Sequence, residues 1–408
     1  MKPAELLRVA LRAIRAHTLR SFLTLLGVII GVATIVAVVG VISGLNTYVK
    51  EKIIVLAPDV YVVQKFGVIR SRKEFLDAIK RPPITWQEYQ RLSSGILQES
   101  SQVSAGAGNT MPVSFENHHL DTIAVVGVTP NFADLFKLEI ESGRFFTENE
   151  SEASQHVAII GADTREELFP HLDPIGRTIL IRGLPFTVIG LMPKQGKSIG
   201  FNQDGRIYIP LTVYQQNFMA ANESLELEIK ARHGVEGLDA SIDEVRALFR
   251  AMRHTSFKSP DPFGILTQES LQQLWKTISS AAFVLLMLIS SVSLGVGGIV
   301  IMNIMLVSVV ERTQEIGVRM ALGAKKRDIR RQFLLEAALL SAAGGVIGVI
   351  IGSLGAWLVR AVAGFPAQIT PGIVFTGIAL ATLVGLAAGF LPAYRASNLV
   401  VIDAIRAE

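Results

Sequence analysis

The side chains that could do chemistry are few, and each sits in a pattern that argues against a catalytic centre. Gly196-Lys197-Ser198 has the ending of a phosphate-binding loop, but that loop needs a glycine five positions before Gly196, where Leu191 stands. Without it the backbone cannot cradle a phosphate, and a surface turn is the better reading. His118 and His119 are adjacent, so on a strand they point to opposite faces, which is poor geometry for one metal ion. Glu166 and Glu167 follow Thr164 at a helix start, where negative charge suits the helix dipole better than it suits acid catalysis. Asn149-Glu150-Ser151 and Asn222-Glu223-Ser224 fit a three-residue glycosylation pattern that recurs by chance. The chain has no cysteine, which removes disulfides, thiol catalysis and Cys-ligated metal sites. We therefore expect no catalytic, cofactor or metal residues, and a protein that is not itself an enzyme.

The positions where charge is missing say more. Of 408 residues 50% are hydrophobic and 18% charged, against roughly 25% charged in ordinary soluble domains. No charge lies between Arg20 and Lys50, Lys276 and Glu311, Glu336 and Arg360, or Arg360 and Arg395, gaps of 29, 34, 23 and 34 residues. A membrane helix needs about 20 apolar residues, so four transmembrane helices are expected, near 21–43, 277–309, 333–360 and 372–392. Five Lys and Arg in residues 1–20 and seven in residues 310–332 place both segments, and the tail 393–408, in the cytoplasm. The 233 residues 44–276 then lie outside with net charge −4, against +8 for the rest. The positive balance thus reports membrane orientation, and no nucleic-acid partner is expected.

The fold class that follows is an α-helical membrane protein with four transmembrane helices and a large α+β extracytoplasmic domain between helices 1 and 2. In that domain strands are expected at Val60–Val63, Ile123–Val128, Val157–Ile160, Thr178–Ile181, Phe186–Leu191, Ile207–Ile209 and Leu225–Ile229. Helices are expected at Thr85–Leu92, opened by a Thr85/Glu88 capping box, at Thr164–Phe169 and at Leu238–Met252. Two lobes are expected, the middle one over about 111–222. The second membrane helix is long enough to continue outward as a stalk.

The spans lack the buried carboxylates of ion-coupled carriers; only Glu336 and Arg360 lie near them. Asn303 and Ser290, Ser291 and Ser293 suit hydrogen bonds between helices. Gly27 with Gly31 and Gly40 with Gly44 would let the first helix approach another closely, in a second copy of the chain or within one copy. Residues 1–20, with Leu6, Leu7, Ala10, Leu11 and Ile14 on one face and Arg8, Arg12 and Arg15 on the other, read as an interfacial helix. Residues 311–324 read as a short helix with an apolar edge of Ile316 and Met320, a favourable Glu315–Arg319 pair and a Gly323 stop. From physics alone it is equally a solvated basic turn that fixes topology.

These residues also carry a resemblance. The run Met302–Ser308, Glu311–Ala324 and Gln332–Ala337 resembles the permease signature of the MacB/FtsX superfamily of ABC transporters. Arg20–Gly31, Pro392–Ser397 and Asp403–Ile405 are similar to the family at the first helix and the end. Val126–Pro130 and Gly143–Phe145 resemble its periplasmic core. The resemblance implies a permease in the bacterial inner membrane, a homodimer served by separate ATPase subunits that hold ATP and magnesium. It also implies a periplasmic adaptor, or membrane-fusion protein, and contact with membrane lipid. The macrolide exporter of the family fuses an ATPase ahead of its first helix, whereas 20 residues precede it here, which is why a stand-alone permease is expected. The resemblance makes Glu311, Arg312, Glu315, Ile316, Arg319, Met320 and Gly323 the ATPase-coupling residues. It implies export of peptides, antibiotics or other amphiphiles by mechanotransmission, in which the helices push on the outer domain. Lipoprotein release of the LolC/LolE type and FtsX-like control of wall hydrolases are the alternatives within the family.

Overall fold

The computed structural model describes residues 18–50, 56–194, 197–198, 201–202, 204–363, 366–401 and 404. The interfacial helix expected over residues 1–20 lies outside them, apart from Thr18–Arg20, which begin the first long helix. In chain order the helices are α1 Thr18–Tyr48, α2 Arg72–Ile79, α3 Trp86–Ser93, α4 Phe132–Phe136, α5 Glu148–Glu152, α6 Ala162–Leu168, α7 Leu211–Asn217, α8 Leu238–Met252, α9 Gln268–Glu311, α10 Thr313–Ala321, α11 Lys326–Ala363 and α12 Pro371–Ser397. The strands are β1 Val60–Gln64, β2 Ser100–Phe115, β3 His118–Val128, β4 Ser142–Gly143, β5 Val157–Ile160, β6 Thr178–Ile181, β7 Leu184–Leu191, β8 Lys197–Ser198, β9 Phe201–Asn202, β10 Arg206–Pro210, β11 Glu226–Ala231 and β12 Gly264–Thr267. The chain divides into two compact units, Met1–Val49 with Lys276–Glu408, and Lys50–Trp275.

Four helices are long and apolar enough to cross a membrane, Leu25–Tyr48, Gln268–Glu311, Lys326–Val362 and Pro371–Ser397, and all but the first eight residues of the second lie in the first unit. At 1.5 Å per residue, the 44 residues of α9 extend about 66 Å, twice the hydrocarbon thickness of about 30 Å. Lipid offers no hydrophobic reason for apolar helices to associate, so close packing must hold them. The hub of that packing is α11. A Cβ on Gly348 would lie 2.9 Å from the Ile29 carbonyl oxygen, and one on Gly352 would lie 2.6 Å from that of Ala33, so α1 and α11 meet backbone to backbone. On its other side α11 receives α12, with Gly389 over Ala337 and Gly345 against Ala381.

The glycines of α1, expected to pack closely either within one copy or between two, make such contacts inside the chain. Gly27 meets the backbone of Gly297 in α9, so closely that a methyl added to Gly27 would sit 2.7 Å from the Gly297 Cα, and Gly31 meets Leu294. Gly40 and Gly44 face the connection from α11 to α12, where the Gln368 N–H donates to the Gly40 carbonyl at 3.0 Å. All four contacts lie within one chain. The hydroxyls expected between helices also turn inward: Ser290, Ser291 and Ser293 each donate to the carbonyl four residues back on α9.

The second unit is built on one ten-stranded sheet in the order β12-β1-β11-β2-β3-β10-β5-β7-β4, with β6 pairing β2 and β7; β8 and β9 form a separate pair. Its main core is lined by Tyr61, Phe169, Phe186, Tyr214, Phe249 and Phe263, and a second cluster gathers round Phe146, Ile159 and Tyr208. The seven expected strands are present, as is the Thr85/Glu88 capping box on α3. Glu88 also accepts from Arg253 at 2.6 Å, joining α3 to the end of α8. Position 111, the expected lobe boundary, falls inside β2, whose ladder shifts register between Met111 and Val113, around Pro112. The strand bends there while the sheet continues.

The close approach of α1 to α11 predicts a sharp asymmetry between glycines. Gly348→Val should cost about 2 kcal/mol or more of overpacking and reduce the monodisperse fraction on size exclusion in mild detergent. Gly355→Ala, at a position with no atom within 4 Å of the added methyl, should leave it unchanged.

Candidate functional site

The segment from Ser308 to Gln332 is where the membrane unit offers a structured surface at the ends of two spans. The 44-residue helix α9 stops at Glu311, and Arg312 leaves the helical conformation with φ −105° and ψ 15°. Thr313 secures the break, its Oγ1 lying 3.0 Å from the Val309 carbonyl oxygen and 2.8 Å from that of Val310. The nine residues of α10 follow. At their end the Gly323 N–H donates to the Met320 carbonyl and the Ala324 N–H to that of Arg319, a Schellman closure that needs the left-handed φ of +97° at Gly323. A helix of nine residues is marginal alone, so its stability comes from these ends and from packing.

That packing divides the expected coupling residues into two sets. Ile316 is 1% exposed and Gly317 is buried; Ile316, with half-buried Met320 packed beside it, joins a cluster containing Val309, Ile329, Phe333 and Ala396. Ile316 therefore anchors α10 to its own unit and is not open to a partner. The outward face carries Glu311, Gln314, Glu315, Val318, Arg319 and Leu322, the last 83% exposed. Val318 and Leu322 escape a pattern search because the apolar pair Ile316 and Met320 fills the other side of the same turns. Glu315 and Arg319 lie 3.7 Å apart, both exposed, an arrangement that adds only a few tenths of a kcal/mol.

Arg312 does not face outward. Its Nη1 donates to Glu336 Oε1 at 3.3 Å, and Glu336, one turn inside the charge-poor part of α11, is only 7% exposed. One helical turn nearer the start of α11, Arg319 Nη1 lies 3.5 Å from Gln332 Oε1. Lys326 donates to Asn398 at 3.1 Å, tying the start of α11 to the end of α12. The sequence shows Glu336 as an isolated charge because its partner stands 24 residues away, across a helix break and a turn.

In the second unit one buried carboxyl group has its pKa pushed far up. Glu228, on β11 beside Ser104 of β2, is 6% exposed, and its Oε2 has no hydrogen-bond partner among the described residues. Burial, reinforced by the neighbouring Glu226 carboxylate, pushes its pKa up to about 8, despite opposing hydrogen bonds from its own backbone and Ser104. Close by, Thr129 Oγ1 donates to Asn131 Oδ1 at 2.7 Å and accepts from the Ala105 N–H at 3.1 Å. Ser104 Oγ lies 3.0 Å from the same Thr129 hydroxyl.

The remaining sequence candidates are scattered. Lys197 and Ser198 form the two-residue strand β8, and Gly196 lies outside the described residues. His118 and His119 are exposed at the start of β3, while Glu166, on α6, pairs with Lys194 at 2.8 Å on the surface. Asn149 lies on α5, and Asn222 follows α7. Among the described residues no three His, Asp or Glu side chains come close enough to hold a metal ion.

Comparison with known proteins gives matches along nearly the whole length. A family described as MacB-like periplasmic core domain matches residues 21–248, and one described as FtsX-like permease C-terminal matches residues 287–401. The chain is 32% identical over 418 residues to the uncharacterized ABC transporter permease YknZ of Bacillus subtilis, covering 100% of both. It is 33% identical over 407 residues to the macrolide export ATP-binding/permease protein MacB of Neisseria gonorrhoeae, covering 98% of this chain and 60% of that protein. The chain thus spans less than two thirds of the length of that relative. Among solved structures it is similar to the periplasmic region of MacB from Actinobacillus actinomycetemcomitans, with a TM-score of 0.46 and 15% identity over 55% of this chain and 96% of that one.

The state of Glu228 makes a pH prediction with a definite sign. An unfolded glutamate titrates near 4.3, so between about pH 4.5 and 8 the folded chain holds a proton that the unfolded chain has lost. Stability therefore falls as pH rises through that window, by an upper bound on the order of 4 kcal/mol. Thermal unfolding of the wild-type chain should move to lower temperature from pH 5 to 8. Glu228→Gln should flatten that slope and be the more stable of the two at pH 8.

Proposed function

The chain belongs to the MacB/FtsX family of ABC transporter permeases, and from that premise we propose that it couples an ATPase to mechanical work by its inserted α/β domain. The observation that carries the proposal is the two-sided character of α10. One side is part of the core of the membrane unit, and the other is an accessible surface of Glu311, Gln314, Glu315, Val318, Arg319 and Leu322. A solvated turn that only fixed topology would need neither a buried Ile316 nor a closed C-terminus. In this scheme an ATPase partner, holding ATP and magnesium, docks on that surface. Both ends of the chain and α10 face the cytoplasm of a bacterial inner membrane, as the seven Lys and Arg of residues 310–332 favour.

Nucleotide then biases a two-state movement of the helices, with the differential contacts on the ATPase side. The helices carry that movement to the inserted domain, which expels peptides, antibiotics or other amphiphiles with an adaptor protein. The export assignment draws support from the name of the Neisseria gonorrhoeae relative. A homodimer completes the scheme, and the contacts that Gly27, Gly31, Gly40 and Gly44 make within one chain favour other surfaces for its interface. Release of lipoproteins and control of a wall hydrolase are the outcomes that a different set of co-purified partners would select.

The docking face is tested by pull-down from native membranes in mild detergent. Leu322→Asp should reduce recovery of the ATPase about tenfold, as loss of an apolar anchor at an interface does, and Glu315→Arg should reduce it less. Both variants should insert normally. Undiminished ATPase recovery with both would remove α10 as the docking surface.

A further inference from the structure

Resting on the reading of α10 as the ATPase-facing helix, we propose that the Arg312–Glu336 pair is the joint through which movement of α10 passes to α11. Two kinds of contact hold α10 in place, and they differ in stiffness. Burial of Ile316 is non-directional: a slide of an ångström keeps the side chain out of water and changes little. A charged hydrogen bond of 3.3 Å has no such tolerance, since the same slide breaks it and leaves Glu336 buried without that partner. The pair therefore fixes the position of α10 along α11 where apolar packing only fixes its depth.

Its location gives that stiffness a use. Arg312 is the residue at which α9 breaks, so a push on the outward face of α10 pivots there. Glu336 lies on the helix that packs backbone to backbone against α1 and against small residues of α12. Arg319 with Gln332 forms a weaker second tie four residues earlier on the same face of α11, which sets the direction of α10 as well as its position. A buried ion pair adds little net stability compared with apolar groups of similar volume, so folding alone gives no reason to bury Glu336. These are positioning residues and contact no nucleotide.

The chain has no cysteine, and this permits a direct test on the full-length protein in nanodiscs with the ATPase that the wild-type chain brings down, using Mg-ATP as the probe. Arg312→Met and Glu336→Met, singly and together, should lower the permease-stimulated kcat about tenfold, within the usual range of coupling between sites, with KM for ATP and ATPase recovery unchanged. Arg312→Lys should retain most of the stimulation. In the double variant Arg312→Cys and Glu336→Cys, a short bifunctional thiol reagent should restore stimulation by joining the two positions covalently. A purely structural role would move the thermal midpoint and not respond to the reagent. Wild-type stimulation in the Met variants, or no recovery of kcat on cross-linking, overturns the joint while leaving α10 as the docking helix. Failure of the wild-type chain to bring down an ATPase overturns both readings.

Discussion

In a lipid solvent, apolar helices gain nothing by hiding from their surroundings, so the membrane unit depends on how closely its backbones approach. That constraint converges on α11. Gly348 and Gly352 set it against α1, and Gly345, Ala337 and Ser341 set it against α12. At such separations dispersion contacts and backbone dipoles act over many atoms at short range, and a single added methyl meets a carbonyl oxygen. A helix held so tightly on two sides cannot move alone. Whatever displaces α11 displaces α1 and α12 with it.

The inserted domain meets a different solvent and uses different means. Its sheet is continuous over ten strands, and its helices are fixed by polar contacts in addition to core packing. Tyr61 reaches across to Ser241 with its hydroxyl 2.9 Å from the carbonyl, and Ser100 meets the Ser241 hydroxyl at 2.8 Å. Arg253 carries Glu88 and the carbonyls of Pro83 and Pro262 together. The Glu88 carboxyl is raised by its burial but more than compensated by Arg253 and the Thr85 cap, and it stays below the ordinary range. Glu228 has no such cation. Burial beside the Glu226 carboxylate favours its neutral form, so this part of the sheet responds to pH.

The parts of this architecture legible in sequence are those dictated by the cost of charge. Four charge-free gaps mark four spans, because a charged group in hydrocarbon is expensive wherever the helix is placed. Short strands with β-branched residues are equally plain. The 16-residue strand β2 is not, since Gly106, Gly108, Ala105, Ala107 and Pro112 give it little β propensity; it forms because β3 and β11 need a partner between them. The site is half legible. Spacing marks α10 as a helix and Gly323 as its end, but a period of 3.6 cannot say which of two apolar edges is inward. Ile316 is buried and Leu322 exposed because of where α11 and α12 lie. The same limit hides the partners of Glu336 and of the α1 glycines, which are facts of tertiary contact.

The polar side chains of the spans bear on what kind of machine these helices could form. A path for a hydrophilic solute needs groups that turn toward a common lumen and exchange partners with it. Here Thr34 donates to Ile30, Ser290 to Leu286, Ser291 to Met287, Ser341 to Ala337 and Thr382 to Ile378, each the carbonyl one turn back on the same helix. Hydroxyls used in this way satisfy a backbone and offer little to a passenger. Among the described residues of the spans, the buried carboxylate of Glu336 is turned to Arg312 at the end of its helix and not toward the centre. Helices whose hydroxyls are satisfied by their own backbone, and whose faces are joined by glycine contacts, are poorly suited to conduct and well suited to move as a body.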